Sequence, residues 1–189
     1  MKNFITTALT SGVLAVAASV ASAGEIAVIV KTTNSSFWQN VNKGASAAIE
    51  GHAGHTMTFN GPASESAIAD QVALVENAIN RGVSAIVLAP SDPEALAPVV
   101  KRAFESGIPV AIIDSGLAEG SEQYYQAFLS TDNCAAGEQA AQMMIDNAGS
   151  TGKVAVMSYV AGVGSEIGRV GCFVEYLGAN SEIEIVGPF

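Results

Sequence analysis

The sequence is poor in charged side chains, and among these the basic ones are the scarcest. Of 189 residues only 8 are lysine or arginine, against 18 aspartate or glutamate, and the formal net charge is −10. A surface of this sign repels phosphate backbones and acidic membrane headgroups. We therefore expect no nucleic-acid partner. The hydrophobic fraction of 49% is still ample for a packed core, so the chain is expected to fold.

Histidine and cysteine are also rare, with two of each, which limits the chemistry that the chain can perform. His52 and His55 lie in a glycine-rich helix end with no thiol nearby, so a metal site is not expected. The chain has no nucleophile elbow and no phosphate-binding loop. The glycines of segment 162–168 follow a predicted strand, but the third is one residue late for the dinucleotide fingerprint. We therefore expect no cofactor and no enzymatic activity, which leaves a binding protein.

No apolar run reaches the roughly 20 residues that a membrane-spanning helix needs. The longest, at 8–20, is broken by threonine and serine, follows Lys2 and precedes Ala21-Ser22-Ala23. A basic start, a short apolar centre and a small-residue cleavage site are typical of a secretory signal peptide. We predict that residues 1–23 are removed, and that the mature chain from Gly24 is exported without a membrane span.

The mature chain alternates short apolar runs with segments of helical periodicity. Each crossover between parallel strands needs a covering helix, so this order predicts an α/β fold with a doubly wound parallel sheet. Ser64 and Asp92 are predicted to cap helices, and 149–152 is predicted to be a turn. The predicted strands are 26–30, 55–60, 83–88, 108–113, 124–129, 154–160 and 183–186, and the predicted helices begin near 37, 64, 92, 133 and 165.

Polar and aromatic residues follow several of these strands, where ligands of parallel sheets bind. Lys31 can donate hydrogen bonds, while Phe37 or Trp38 can cover the apolar face of a sugar ring. Asp114 directly follows four apolar residues and can accept hydrogen bonds from two hydroxyls. Arg169 lies in the first turns of a helix, where the helix dipole disfavours a cation, so a ligand contact is the better explanation.

Three segments and two shorter motifs resemble the ribose-binding type of periplasmic solute-binding protein. The segments are 26–38, 83–92 and 107–114, and the motifs are Thr131-Asp132-Asn133 and Gly168-Arg169 with Phe173 downstream. The resemblance covers the mature chain and implies a two-lobed, hinged receptor that delivers a sugar to the permease of an ABC transporter in the periplasm. The implied lobes are 24–129 and a partial second lobe at 130–189, with a hinge crossing at Ser130-Thr131.

The resemblance also implies a set of ligand contacts. Lys31, Ser35, Phe37 and Trp38 would form one wall, Ala89, Asp114 and Ser115 would lie near the sugar, and Arg169 would reach in from the second lobe. Ribose binders typically have asparagine in place of Ala89 and arginine in place of Ser115, so ribose is not the expected ligand. Lys31 and Asp114-Ser115 look more like the branch that binds autoinducer-2, which Ile167-Gly168 do not match. The expected ligand is thus a sugar, a polyol or a related hydroxylated molecule.

Two other classes share this receptor fold. A regulator of the lactose-repressor type would begin with a helix-turn-helix in place of an export signal. A sensing module for chemotaxis or signalling, including one for an autoinducer-2-like ligand, would differ in having a kinase or chemoreceptor as its partner.

Two further expectations concern the second lobe. Cys134 begins one helix and Cys172 lies in the next, and successive helices of this winding are expected on opposite faces, so we predict no disulfide. Members of the family continue well past the position of Phe189, so we expect an incomplete second lobe, poor ligand affinity and an unpaired sheet edge prone to aggregation.

Overall fold

The computed structural model describes residues 24–189, so the predicted signal peptide lies outside the described residues. Seven strands and five α-helices alternate in this part of the chain, except that a 3-10 turn at Glu122–Tyr124 takes the place of an α-helix between the fourth and fifth strands. The strands are β1 (Glu25–Ile29), β2 (Thr56–Asn60), β3 (Ala85–Leu88), β4 (Val110–Ile113), β5 (Ala127–Leu129), β6 (Thr151–Ala155) and β7 (Glu182–Val186). The helices are α1 (Ser36–Glu50), α2 (Ile68–Arg81), α3 (Pro93–Glu105), α4 (Asn133–Ala148) and α5 (Gly164–Asn180).

The first five strands form one parallel sheet in the order β2-β1-β3-β4-β5, and β6 and β7 form a second parallel pair. One face of the larger sheet packs against α2 and α3, around Val75, Leu96 and Val100. The other face packs against α1 through Trp38. Helices on both faces confirm the predicted doubly wound α/β fold. Within residues 24–189, no helix is both long and apolar enough to cross a membrane.

The strand order changes direction between β1 and β3, and ligands of such sheets bind near this point. Continuous apolar runs form the central strands because both faces of these strands are covered.

Asp92 caps α3 as predicted, with its carboxylate accepting hydrogen bonds from the backbone N–H groups of Glu94 and Ala95. The prediction for Ser64 is wrong. Its hydroxyl pairs with Ser66, and α2 begins four residues later without a side-chain cap.

Two strands differ from their predicted positions because strand pairing overrides local composition. The strand expected at 154–160 runs from Thr151 to Ala155, so half of the expected 149–152 turn lies in it. Its partner β7 ends at Val186, and residues 156–160 therefore continue as a loop. In the segment predicted as a strand at 124–129, Tyr124 instead ends a 3-10 turn and packs edge-on against Phe104, with ring centroids 5.7 Å apart.

The prediction of no disulfide is wrong. Cys134 and Cys172 are bonded, with their Cα atoms 5.1 Å apart. Their helices do not lie on opposite faces. Along the chain α4 precedes β6 and α5 connects β6 to β7, and α4 packs directly against α5. The contact is so close that a Cβ atom on Gly137 would collide with the carbonyl oxygen of Arg169.

This contact makes Gly137 sensitive to the smallest substitution. We expect Gly137→Ala to lower the free energy of unfolding by roughly 1–3 kcal/mol, because the added methyl group meets backbone that cannot move without separating the helices. Gly171→Ala in α5 is the matched control, since nothing lies within 4 Å of its added Cβ. That control is expected to be neutral or stabilising by about 0.5–1 kcal/mol. Urea denaturation of the two variants measures the difference, and equal stabilities would contradict the prediction.

Candidate functional site

A cavity of about 420 Å³ opens where the carboxyl ends of β1 and β4 face the start of α5. Its walls come from both sheets, because the loop after β6 and the first turns of α5 lie opposite the strand ends. Its lining side chains are all charged, hydroxylated or aromatic: Lys31, Ser35, Ser36, Phe37, Trp38, Glu65, Asp114, Thr131, Tyr159, Ser165 and Arg169.

Lys31 is the buried cation at the floor of this cavity, with only 2% of its side chain exposed. Its Nζ atom lies 2.6 Å from Oδ2 of Asp114, 2.6 Å from Oγ of Ser115 and 3.3 Å from Oγ of Ser165. A lysine ammonium has three donors, so the protein itself engages all of them. Lys31 therefore neutralises the carboxylate and ties the larger sheet to α5, rather than pointing a free donor into the cavity.

Asp114 is held in an unusual backbone conformation, with φ of +66°, where residues other than glycine are uncommon. Its N–H donates to the carbonyl of Leu129, and its own carbonyl accepts from Oγ of Ser130 at 2.5 Å. These two bonds fix the turn that presents the carboxylate to the cavity. Oδ2 accepts from Nζ of Lys31 and from Oγ of Ser115, whereas Oδ1 makes none of the hydrogen bonds found among residues 24–189. One carboxylate oxygen thus remains available to accept from a ligand hydroxyl.

The two adjacent aromatic residues have different surroundings. Trp38 is 2% exposed and packs on the sheet, while its indole N–H donates to Oε1 of Glu65 at 3.0 Å. Phe37 is 56% exposed and meets Trp38 edge-on, with ring centroids 4.8 Å apart. Ser35 caps α1 by accepting from the backbone N–H of Trp38. This cap sets the direction in which both rings leave the helix.

The opposite wall belongs to α5. The N–H of Ser165 donates to Oγ of Ser115 at 3.1 Å, which seats the start of this helix on the turn after β4. Arg169 is exposed one turn later, and its Nη2 atom donates to Oδ1 of Asn133 at 2.6 Å. A guanidinium carries five N–H donors, and within residues 24–189 that of Arg169 makes one hydrogen bond, so donors remain to meet a ligand. The cavity therefore places a cation and an unpaired carboxylate oxygen on opposite walls.

Residues 26–189 match the family model described as the periplasmic binding protein domain. The chain belongs to this family. It is 68% identical to an ABC transporter solute binding protein from Agrobacterium vitis, whose structure with bound D-fucose superposes with a TM-score of 0.87 over 88% of this chain and 57% of that one. It is also 30% identical over 181 residues to the D-allose-binding periplasmic protein of Escherichia coli, covering 92% of this chain.

This periplasmic binding protein domain spans only part of the length of such relatives, 57% in the case of the E. coli protein. A second Agrobacterium vitis solute binding protein, bound to α-D-tagatopyranose, is 26% identical with a TM-score of 0.79, over 87% of this chain and 57% of that one. These relatives are sugar-binding proteins, and the two Agrobacterium vitis structures share the doubly wound fold described above.

Six of the eight residues singled out in the sequence meet in one cavity of this binding domain: Lys31, Ser35, Phe37, Trp38, Asp114 and Arg169. Their role as ligand contacts stays a prediction. Two others do not line the cavity. Ser115 is fully buried behind Lys31, which it meets through its hydroxyl. Ala89 is also fully buried, because Gln71 fills the crevice between β1 and β3 by donating to the carbonyls of Val30 and Ala89.

Several lining residues of this binding domain were not singled out in the sequence. Glu65 lies in a loop after β2 and reaches the site only by bonding Trp38. Tyr159 is 79% exposed in the loop that the sequence predicts as a strand. Ser165 lies in the segment that follows a predicted strand, and Thr131 lies in the predicted hinge crossing. Both segments, but not these two residues, were singled out in the sequence. Among residues 24–189, no group of three or more histidine, cysteine, aspartate or glutamate side chains is arranged to hold a metal ion.

Proposed function

We propose that this chain is the ligand-binding part of a periplasmic solute-binding protein that delivers a monosaccharide to an ABC importer. The observation that carries this proposal is the cavity between the two sheets, with Asp114 Oδ1 unpaired on one wall and Arg169 on the other. A carboxylate accepts hydrogen bonds from hydroxyls, and a guanidinium donates hydrogen bonds to them. A sugar ring presents neighbouring hydroxyls that can bind both groups at once.

The same proposal includes the organisation of the chain. Residues 24–129 and 130–189 would form two lobes that close on the ligand, with Ser130-Thr131 as one of the crossings between them. The break between the two sheets after Leu129 supports this division. Residues 1–23 would direct export to the periplasm and be removed, in keeping with the periplasmic relatives.

D-Fucose is the first ligand to test, because the Agrobacterium vitis relative was solved with this sugar. D-Fucose presents several hydroxyls and one methyl group. Asp114 and Arg169 suit the hydroxyls, and the exposed ring of Phe37 offers an apolar surface for the methyl group. The cavity volume of about 420 Å³ is within the range of roughly 300–1,000 Å³ that small-molecule sites occupy.

Binding without turnover is the expected outcome at this site. Both lining carboxylates already have protein partners, Asp114 with Lys31 and Glu65 with the indole of Trp38. No histidine lines the cavity to act as a base for its serine or threonine hydroxyls. The side chains present are arranged to hold a hydroxylated molecule.

Trp38 provides a direct test, because it is the single tryptophan of the chain and lines the cavity. We expect D-fucose to produce a saturable change in its fluorescence with a Kd below about 1 mM, and to raise the melting temperature. 1-Propanol, a neutral alcohol without a sugar ring, is the control at the same concentration and should leave both signals unchanged. The recovered sugar should be chemically intact by NMR. The absence of a saturable response to D-fucose, D-allose and D-tagatose would overturn the proposal.

A further inference from the structure

The Cys134–Cys172 bridge lies next to the one cation that α5 contributes to the cavity. Cys172 follows Arg169 by three residues, about one helical turn, and Cys134 directly follows Asn133. Asn133 is the residue whose Oδ1 atom accepts from Arg169 at 2.6 Å. The covalent link and the hydrogen bond therefore join the same two helices, one turn apart.

The backbones of α4 and α5 are in contact at this level. A Cβ atom on Gly168 would lie 3.3 Å from Cβ of Asn133, and one on Gly137 would collide with the backbone at Arg169. Two glycines thus permit the close approach, and the bridge holds the Cα atoms of the cysteines 5.1 Å apart. This spacing is within the ordinary range of disulfides, so the bridge fits the packing of the helices.

Arg169 depends on this packing for its orientation. Its side chain is exposed and long, and such a side chain loses rotamer entropy when it is ordered. The hydrogen bond to Asn133 restrains it before a ligand arrives. A shift of about 1 Å between α4 and α5 would either stretch this bond of 2.6 Å beyond hydrogen-bonding distance or make the side chain of Arg169 change its rotamer to keep it. The position of the guanidinium is therefore coupled to the alignment of the two helices.

We propose that the Cys134–Cys172 bridge and Asn133 are positioning elements that hold Arg169 ready for the ligand. This inference rests on the proposed function, in which Arg169 donates to the sugar. The bridge and Asn133 act on affinity only through Arg169, since neither the cysteines nor Asn133 line the cavity.

The test compares D-fucose affinity with and without the bridge, in the presence and absence of Arg169. We expect Cys134→Ala/Cys172→Ala to raise Kd by roughly 5- to 20-fold at a temperature where circular dichroism shows a folded protein. In an Arg169→Ala background the same double substitution should change Kd by less than about 2-fold. An equal loss of D-fucose affinity in both backgrounds, or no loss of affinity with Arg169 present, would overturn the inference.

Dithiothreitol gives the same comparison without substitution, because it passes two electrons and two protons to the bridge and becomes a cyclic disulfide. The reagent should weaken binding by the native chain and leave the variant without cysteines unchanged. Weakening of both proteins would contradict the role of the bridge.

Asn133→Ala keeps the disulfide, so it tests the positioning of Arg169 even if proteins without the bridge fail to fold. It should raise Kd by roughly 3- to 10-fold with Arg169 present and by less than about 2-fold without it. An unchanged Kd with Arg169 present would overturn the inference. If the native, oxidised chain does not bind D-fucose, D-allose or D-tagatose, the proposed function itself fails. If the chain binds with an affinity that does not depend on the bridge, only the inference about the bridge fails.

Discussion

Lys31→Met is expected to weaken D-fucose binding by roughly 10- to 100-fold, the loss that follows from removing a charged hydrogen-bonding group. Methionine has a similar length and fits the space, but it cannot donate to Asp114, Ser115 or Ser165. The carboxylate of Asp114 then loses its counter-charge beside a largely buried turn. The start of α5 also loses one of its links to the larger sheet.

The same variant is expected to lose roughly 1–3 kcal/mol of stability, because the partly buried carboxylate of Asp114 loses its charged partner and keeps only the hydroxyl of Ser115 as a donor. The titration of Trp38 fluorescence and urea denaturation measure the two effects separately. Lys43→Met is the matched control, since Lys43 is exposed on α1 and makes no contact with the cavity. If Lys31→Met bound D-fucose as tightly as this control, the buried ion pair would have no part in ligand binding.

Loss of the Cys134–Cys172 bridge is expected to lower the free energy of unfolding by about 4 kcal/mol, from the entropy of closing a loop of this length in the unfolded chain. The sequence separation of the cysteines is 38 residues. In a domain of this size such a change lowers the melting temperature by roughly 8–16 °C. The effect falls first on α4, α5 and the small β6-β7 sheet, in which the solvent-exposed fraction is zero only for the hydrophobic side chains of Ala141 and Leu177.

Differential scanning calorimetry of the oxidised chain and of Cys134→Ala/Cys172→Ala checks this expectation. Adding a reductant should lower the melting temperature of the native chain and leave that of the variant unchanged. If the oxidised native chain and the variant melted at the same temperature, the bridge would contribute nothing to stability, whatever its effect on Arg169.

The central strands and two of the site residues could be predicted from the sequence because their signals are local. A run of apolar residues such as 26–30 has to be buried on both faces, and an α-helix follows most of the strands and covers the sheet. Lys31 and Asp114 come directly after such runs, so the parallel direction of the strands brings both to the same edge of the sheet. Their meeting at 2.6 Å follows from the strand order, in which only β3 lies between β1 and β4.

Other features had no local signal. Glu65 reaches the cavity through the indole of Trp38, and Ala89 is covered because Gln71 bonds the backbone beside it. The loop that carries Tyr159 has the composition of a strand, but the partner strand ends before it. Each of these outcomes depends on a contact between segments far apart in the chain.

The alternation of strands and helices, the apolar core and the polar groups that follow β1 and β4 are predictable from the sequence, because burial and chain direction act on neighbouring residues. Packing between distant segments sets the rest: Lys31 gives all three donors to the protein, Arg169 bonds Asn133, and the cysteines are bonded. These outcomes depend on which helices share a side and how closely their backbones approach. Such distances are set by the packing of whole elements, so a pattern within a single segment does not predict them.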